Sequence, residues 1–175
     1  TVAALGYLSD PVVTFQNTAI SLSKNNHPIN FDISYLRDKK IIAFQKAKQF
    51  LGQDFKTAVS ENSLYYEVPL QSQQINMLFG RNIDFIVMDK SIFGYYWNQA
   101  LRDKGNQEIN VRQPIQFHPI FKPKPYPFIF KDKNVRDQFN AGLATIKSNG
   151  TYDEILKKYD HLKDLYQDQN LAPAR

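Results

Sequence analysis

Residues 80–89, with the sequence GRNIDFIVMD, place the strongest constraint on what this chain can fold into. Gly80 can take the left-handed conformation that ends a helix. The apolar residues from Ile83 to Met88 are typical of a short strand that is buried on both faces. Asp89 follows this strand directly and precedes a new helical pattern. The segment therefore predicts a helix end, a turn and a central strand of an α/β sheet.

Asp89 has two possible roles at the end of this strand. In open α/β sheets, ligands bind beyond the carboxyl ends of the strands, which is where Asp89 would lie. An aspartate between a strand and a helix is also a common N-cap, because its carboxylate accepts hydrogen bonds from the first N–H groups of the helix. The sequence leaves both roles open, and one side chain can serve both.

Further strands and helices alternate along the chain. Segments 41–44 and 64–68 are short apolar strands, and each is followed by a helical pattern, so we expect them in one sheet with segment 83–88, joined by right-handed crossovers. Segment 18–23 alternates polar and apolar residues, which predicts a half-buried strand. Segment 111–117 alternates too, and its proline favours an edge strand.

Composition excludes several classes of function. The chain has 175 residues, 42% of them hydrophobic, and no cysteine, so thiol catalysis, disulfides and cysteine metal sites are excluded. Its net charge is +5, but the basic residues are scattered, so we expect no nucleic-acid partner. We expect no metal and no cofactor, and His27 is predicted to be an exposed loop residue. No stretch approaches the roughly 20 apolar residues of a membrane helix.

The turn after segment 41–44 is a candidate anion site. Gln45 and Lys46 lead the chain into a helix, and a helix that leaves a strand in this way points its free N–H groups beyond the sheet. Such a terminus suits a carboxylate or another anion. The alternative is ordinary α/β packing, in which the same terminus meets only water.

Four segments together resemble a known protein family. They are the Ser9-Asp10-Pro11 passage with the strand at 18–23, LRDKKIIAFQ at 36–45, GRNIDFIVMD at 80–89, and residues 131–159, which include RDQFNAGLATIKSNGTYDEILKKY. In order and spacing they are similar to the periplasmic solute-binding proteins of the amino-acid type, family 3 of the ABC-transporter binding proteins. The last match is long and specific, and the other three are weaker individually.

The resemblance implies an α/β fold of the periplasmic-binding-protein-like type II class, with two lobes joined by crossover strands. Residues 1–24 would be a crossover segment and a remnant of lobe 1, and residues 25–117 would form lobe 2. Residues 118–175 would hold the return crossover, with a stiff proline-rich stretch, and the C-terminal helices of lobe 1. The first part of lobe 1 has no counterpart in this chain, so we expect one full lobe and part of the other, in a fragment or a divergent member.

The resemblance also implies a ligand site. Asp89 aligns with the carboxylate that receives a ligand ammonium group in amino-acid binders. The arginine that grips the ligand carboxylate in the family has no counterpart, and Lys46-Ala47 replaces the family's glycine-threonine, so that hydroxyl contact is lost. We expect a zwitterion with its carboxylate at the turn of residues 45–47. The candidate ligand-binding residues are Phe44, Gln45, Lys46, Ala47, Gln71 and Asp89.

The function implied is extracytoplasmic or periplasmic binding of a small polar solute, an amino acid or related zwitterion, by lobe closure. The expected partners are this small-molecule ligand and the membrane permease of an ABC transporter, or a fused receptor if the chain is a sensing domain. A dehydratase-like enzyme on the same scaffold is the other alternative. We expect a non-enzyme, because no histidine is placed near Asp89 or Glu67 to act with it as acid or base.

The last two predicted helices, at 133–148 and 151–159, belong by resemblance to lobe 1. We expect them to stay outside the core of residues 25–117. Their apolar faces then need another partner, and self-association through these C-terminal helices is one expected outcome.

Overall fold

The computed structural model describes residues 6–103 and 109–161, and these fall into two compact units. The large unit is built from residues 16–122. The small unit combines the segment that ends at Phe15 with Pro123–Asp160. The first boundary between the two units thus lies after Phe15, several residues before the expected boundary at 24/25. Strand β2 (Asn17–Leu22) therefore belongs to the sheet of the large unit.

The large unit is organised around a five-stranded sheet. Besides β2, its strands are β3 (Ile41–Phe44), β4 (Tyr65–Val68), β5 (Phe85–Asp89) and β6 (Ile115–His118). Their order in the sheet is β4-β3-β5-β2-β6. Strand β3 pairs in parallel with β4 and with β5, while β2 runs antiparallel to β5 and β6. The prediction that the segments at 41–44, 64–68 and 83–88 share one sheet is confirmed. The prediction that segment 111–117 contains an edge strand is confirmed too, because β6 is the last strand in the order of the sheet.

Both faces of this sheet are covered, which explains why every residue of β5 is buried. One face packs against α3 (Ser72–Gly80) and α4 (Lys90–Arg102), and Trp97 of α4 is fully buried there. The other face packs against α1 (Ala47–Phe50), α2 (Gln53–Val59) and a 3-10 segment, Ile33–Asp38.

Strand β2 corrects the expectation of a half-buried strand, because its five residues from Thr18 to Leu22 are all buried. The polar members of its alternation are satisfied inside the protein. The Thr18 hydroxyl donates to the carbonyl oxygen of His118 over 2.8 Å, and the Ser21 hydroxyl lies 2.9 Å from Nε2 of the same histidine. The alternation of polar and apolar residues in β2 therefore reflects two faces that are both buried. Polar side chains can lie in a buried face when they have a hydrogen-bond partner.

His27 is also placed differently from the expectation of an exposed loop residue. Its side chain is only 9% exposed. Its ring lies 4.4 Å from the ring of Phe85, and its Nδ1 is 3.1 Å from the Tyr35 hydroxyl. The segment that follows β2 therefore folds back over the first residue of β5.

The small unit contains a two-stranded antiparallel sheet of β1 (Tyr7–Phe15) and β7 (Lys124–Phe130), with two helices. The prolines of β7 were expected in a stiff connecting stretch. They lie within the strand instead, since a sheet of two strands has only edges, where a missing N–H costs little. The helices are α5 (Lys133–Ser148) and α6 (Thr151–Lys158).

The two C-terminal helices belong to the small unit, as expected, and α5 contributes one buried residue, Leu143. Tyr152 fastens α6 to β1 by donating its hydroxyl to the carbonyl oxygen of Val12 over 2.6 Å. Across residues 6–103 and 109–161, no helix combines the length and apolar character needed to cross a membrane.

Candidate functional site

The candidate ligand residues lie along one edge of the large sheet, beyond the carboxyl ends of β3, β4 and β5. Phe44 ends β3, Gln45 and Lys46 form the exposed turn, and Ala47 opens α1 as a buried residue. Asp89 is the last residue of β5. Gln71 stands at the start of α3, just after β4. Parallel pairing of the three strands brings these positions to the same end of the sheet, which we call the ligand edge.

Asp89 is held by three backbone N–H groups. Its Oδ1 accepts hydrogen bonds from Ser91 over 2.9 Å and Ile92 over 3.1 Å, and its Oδ2 accepts one from Gln16 over 2.7 Å. The side chain therefore caps α4 and also fastens the start of the β2 segment to the end of β5. A carboxylate offers about four acceptor positions, so one remains for a ligand. Asp89 is only 5% exposed, which limits any ligand contact to that position.

The turn after β3 is closed by the carboxylate of Glu67. Oε2 accepts a hydrogen bond from the N–H of Lys46 over 2.6 Å, and Oε1 accepts one from the N–H of Lys48 over 3.1 Å. The Tyr65 hydroxyl donates to Oε1 over 2.8 Å. Lys46 itself has a φ of 65°, a left-handed conformation that costs a non-glycine residue about 1 kcal/mol. The bonds to Glu67 help to offset that cost.

The environment of Glu67 keeps it ionised. Burial raises the pKa of its carboxyl group, but the hydrogen bonds from Lys48, Tyr65 and Lys46 outweigh burial and hold the pKa below its usual value. Burial, together with the bond to Glu67, raises the pKa of the Tyr65 hydroxyl. The ammonium group of Lys48 lies 4.8 Å from the centre of the Tyr65 ring. Glu67, Tyr65 and Lys48 thus form an internally compensated group, which we call the Glu67 cluster.

This geometry bears on the expected ligand contact at the turn of residues 45–47. The N–H group of Lys46, and that of Lys48 just beyond the turn, already bind Glu67. The register explains the arrangement. Glu67 pairs with Ala43 across the parallel β3–β4 ladder, so its side chain leaves the sheet beside the turn. Only the pairing of two distant segments reveals this contact.

Two further residues position the ligand edge. Gln16 supplies the N–H that binds Asp89, and its side-chain Nε2 donates to the carbonyl oxygen of Phe121 over 3.0 Å. Gln74 of α3 is fully buried, and in the amide orientation that satisfies both ends its oxygen accepts from the N–H of Phe44 over 3.3 Å. A buried glutamine on the apolar face of a helix is the one sequence signal that could have indicated this role.

The two largely buried histidines lie away from the ligand edge. The rings of His27 and His118 contact Phe85, at the opposite end of β5 from Asp89. Within the described ranges, no three histidine or carboxylate side chains are grouped as metal ligands. The edge therefore offers two hydrogen-bonded carboxylates and neutral amides. Away from it, α3 and α4 enclose a groove of about 220 Å³, lined by side chains that include Asn76, Tyr96 and Gln99.

Comparison with known proteins gives structural matches only. No protein-family model matches the sequence, and no curated protein matches it either. An ancestral cationic amino acid solute binding protein superposes with a TM-score of 0.63 at 18% identity, over 91% of this chain and 64% of that one. The same ancestral protein is described elsewhere as a precursor of cyclohexadienyl dehydratase.

Two further structures match to the same degree. An amino acid ABC transporter substrate-binding protein from Streptococcus pneumoniae, bound to L-arginine, gives a TM-score of 0.62 at 14% identity, over 90% of this chain and 62% of that one. The GluR0 ligand binding core with L-glutamate also gives 0.62 at 14% identity, over 87% and 63%. The fold is therefore the periplasmic binding protein type II fold, as expected, and the chain spans about 64% of the length of the first of these structures.

Proposed function

We propose that this protein binds a small polar solute, an amino acid or a related compound, outside the cytoplasm, for uptake by an ABC transporter. The observation that supports the proposal most is the ligand edge. It collects Asp89 and the turn after β3 at the carboxyl ends of parallel strands, where ligands bind in sheets of this kind. The structural neighbours whose descriptions name a ligand hold arginine, glutamine, glutamate or lysine.

Asp89 is the residue to which we assign the cationic group of the solute. Its carboxylate is fixed by three backbone hydrogen bonds, so binding a cation requires little further ordering of the side chain. Phe44, Gln45, Lys46, Ala47 and Gln71 stay our candidates for the remaining contacts. Closure of two lobes around the solute, which the resemblance implies, is the mode of binding that we propose.

Binding without turnover is the proposed activity. An enzyme on this scaffold, such as the dehydratase suggested by one neighbour's description, is the second candidate. It would require a general acid or base at the reacting atom. Asp89 has one acceptor position left and Glu67 is engaged in its cluster, so we favour a binding protein. A ligand-sensing domain of a membrane receptor would use the same edge.

Titration of the full-length gene product with the common amino acids and simple amines tests this proposal. We expect at least one solute to raise the unfolding temperature, because a ligand at 100 times its Kd stabilises by about 2.7 kcal/mol. Proton NMR of the mixture should show the solute unchanged after prolonged incubation. Conversion of the solute would support the enzyme, and a panel with no binder would contradict solute binding.

A further inference from the structure

The Glu67 cluster bears on which solutes the ligand edge can accept. The N–H groups of Lys46 and Lys48 are two donors that the turn after β3 could offer to a solute carboxylate. Both already donate to Glu67, at 2.6 and 3.1 Å. A second carboxylate there would have to displace Glu67 from its hydrogen bonds and would meet like-charge repulsion, since Glu67 is ionised well below neutral pH.

The cluster also fixes Glu67 in place. Tyr65 is 9% exposed and donates its hydroxyl to the same carboxylate. If Glu67 moved away, the buried Tyr65 hydroxyl would lose its acceptor, which is costly for a buried donor. The nearby Lys48 ammonium compensates the charge of Glu67, so the cluster has no excess positive charge to attract an anion.

The remaining charges at the edge favour a cation at Asp89. Asp89 and Glu67 lie on the same face of the sheet, two strands apart, which corresponds to about 10 Å. The ammonium group of Lys90, the residue after Asp89, lies 5.0 Å from the centre of the Phe117 ring, on the other face. The side chain of Lys46 is exposed. Gln45 and Gln71, two residues with neutral amide side chains, also belong to the ligand edge.

We propose that Glu67 is a specificity-determining residue, which occupies the place of a solute carboxylate at this turn. Resting on the proposed function, this inference narrows the solute to an organic cation, an amine or guanidine recognised without a carboxylate at the turn. The solute would then be a cation and not the expected zwitterion, because Glu67 of the protein itself supplies the carboxylate at the turn.

Pairs of compounds that differ only in one carboxylate test the inference. Calorimetric titration of the full-length protein compares arginine with agmatine, ornithine with 1,4-diaminobutane, and lysine with 1,5-diaminopentane. We expect the decarboxylated member of at least one pair to bind tenfold or more tightly than its amino acid. A tenfold preference for the amino acid in every pair that binds would overturn the role of Glu67 but leave solute binding intact.

Variants at Glu67 provide the second half of the test. Glu67→Ala frees the two N–H groups, so the amine-to-amino-acid affinity ratio should fall at least tenfold, and Glu67→Gln should give an intermediate ratio. Glu61→Ala removes an exposed carboxylate in the same unit and should leave the ratio within twofold of the original protein. If Glu67→Ala does not fold, Glu67→Gln decides. An unchanged ratio in the folded Glu67 variant would refute the inference. Absence of binding by the original protein to every compound would refute both it and solute binding.

Discussion

Asp89 and Glu67 are the two carboxylates that shape the ligand edge, and each accepts three hydrogen bonds from the protein. Their difference is in accessibility and in partners. Asp89 is almost buried and holds the first turn of a 13-residue helix, whereas Glu67 is partly exposed and holds a strained turn. In the structure both carboxylates hold a segment of backbone in place, and ligand binding would be a further role for these residues.

Asp89→Asn separates capping from ligand binding. Asparagine keeps one oxygen for Ser91 and Ile92 but turns an amide towards the N–H of Gln16, so the free energy of unfolding should fall by about 1–3 kcal/mol. If Asp89 binds the ammonium group, affinity for a cationic solute should also fall by about 2–5 kcal/mol in calorimetric titration.

Asp132→Asn is the matched control for this variant. Asp132 caps α5 in the same manner, accepting from Asn134 over 2.7 Å and Val135 over 3.1 Å, and it lies in the small unit. It should reduce stability slightly and leave affinity unchanged. Equal affinities for both variants and the original protein would mean that Asp89 only caps its helix.

The sequence indicated the cap at Asp89 but not the contacts of Glu67, for a physical reason. Capping is local, because the cap and its donors are two and three residues apart. The contacts of Glu67 with Lys46 and Lys48 span 21 and 19 residues and depend on the register of β3 against β4. The left-handed conformation of Lys46 is likewise absent from any local pattern, since lysine rarely adopts it.

At the scale of elements, the three parallel strands of the large unit were recovered because each is a short apolar run followed by a helix. The expectations that were wrong concern segments that interact across the sheet. Strand β2 has polar residues that are satisfied by His118, and the segment after it is held by His27 and Asn25. Such pairings cannot be deduced from the period of one strand.

We expect the free energy of unfolding to depend on pH through His27, in the segment of residues 23–32, and through His118. Burial lowers the pKa of both His27 and His118, although Asp84 raises that of His27 and the Ile29 carbonyl raises that of His118. The charged and titratable groups near His27 are Asp84, Lys39 and Tyr35. Both folded-state pKa values lie below about 6.5, the value of an unfolded histidine.

In this case the unfolded chain binds protons that the folded protein does not, so stability is full above about pH 6.5 and falls as the pH drops below it. Thermal unfolding between pH 7.5 and 5 should show a decreasing midpoint, and His27→Gln should flatten that dependence. A midpoint that is constant across this range, or that rises towards pH 5, would contradict the prediction. Carboxylates titrate at lower pH and do not obscure the window.

At the scale of the whole molecule, the two units differ in how much apolar surface they bury. The large unit has a core on each face of its sheet. In the small unit α6 has no buried residue, and its apolar side chains are about half exposed. The most exposed large apolar side chains of this unit, between 47% and 60%, are Ile129, Phe128, Val135, Ile155, Leu156 and Tyr159.

This exposed surface predicts association of the 175-residue chain when it is produced alone. Exposed apolar side chains favour burial against another surface. Light scattering should show a mass that increases with concentration, and Leu156→Lys should shift the population towards monomer. The control Lys157→Leu changes a neighbouring position in the opposite sense and should not. A monomer at all concentrations, with α5 and α6 protected from hydrogen exchange, would contradict this expectation.

The central claim is that a solute binds at the carboxyl ends of β3, β4 and β5. Backbone NMR of the labelled full-length protein, titrated with the best-binding compound of the panel, tests it most directly. The account predicts that the largest shift changes in the large unit fall on Gln45, Lys46, Gln71 and on Asp89 with the first turn of α4. Changes confined to the groove lined by Asn76, Tyr96 and Gln99, or to the segment around His27, would contradict it.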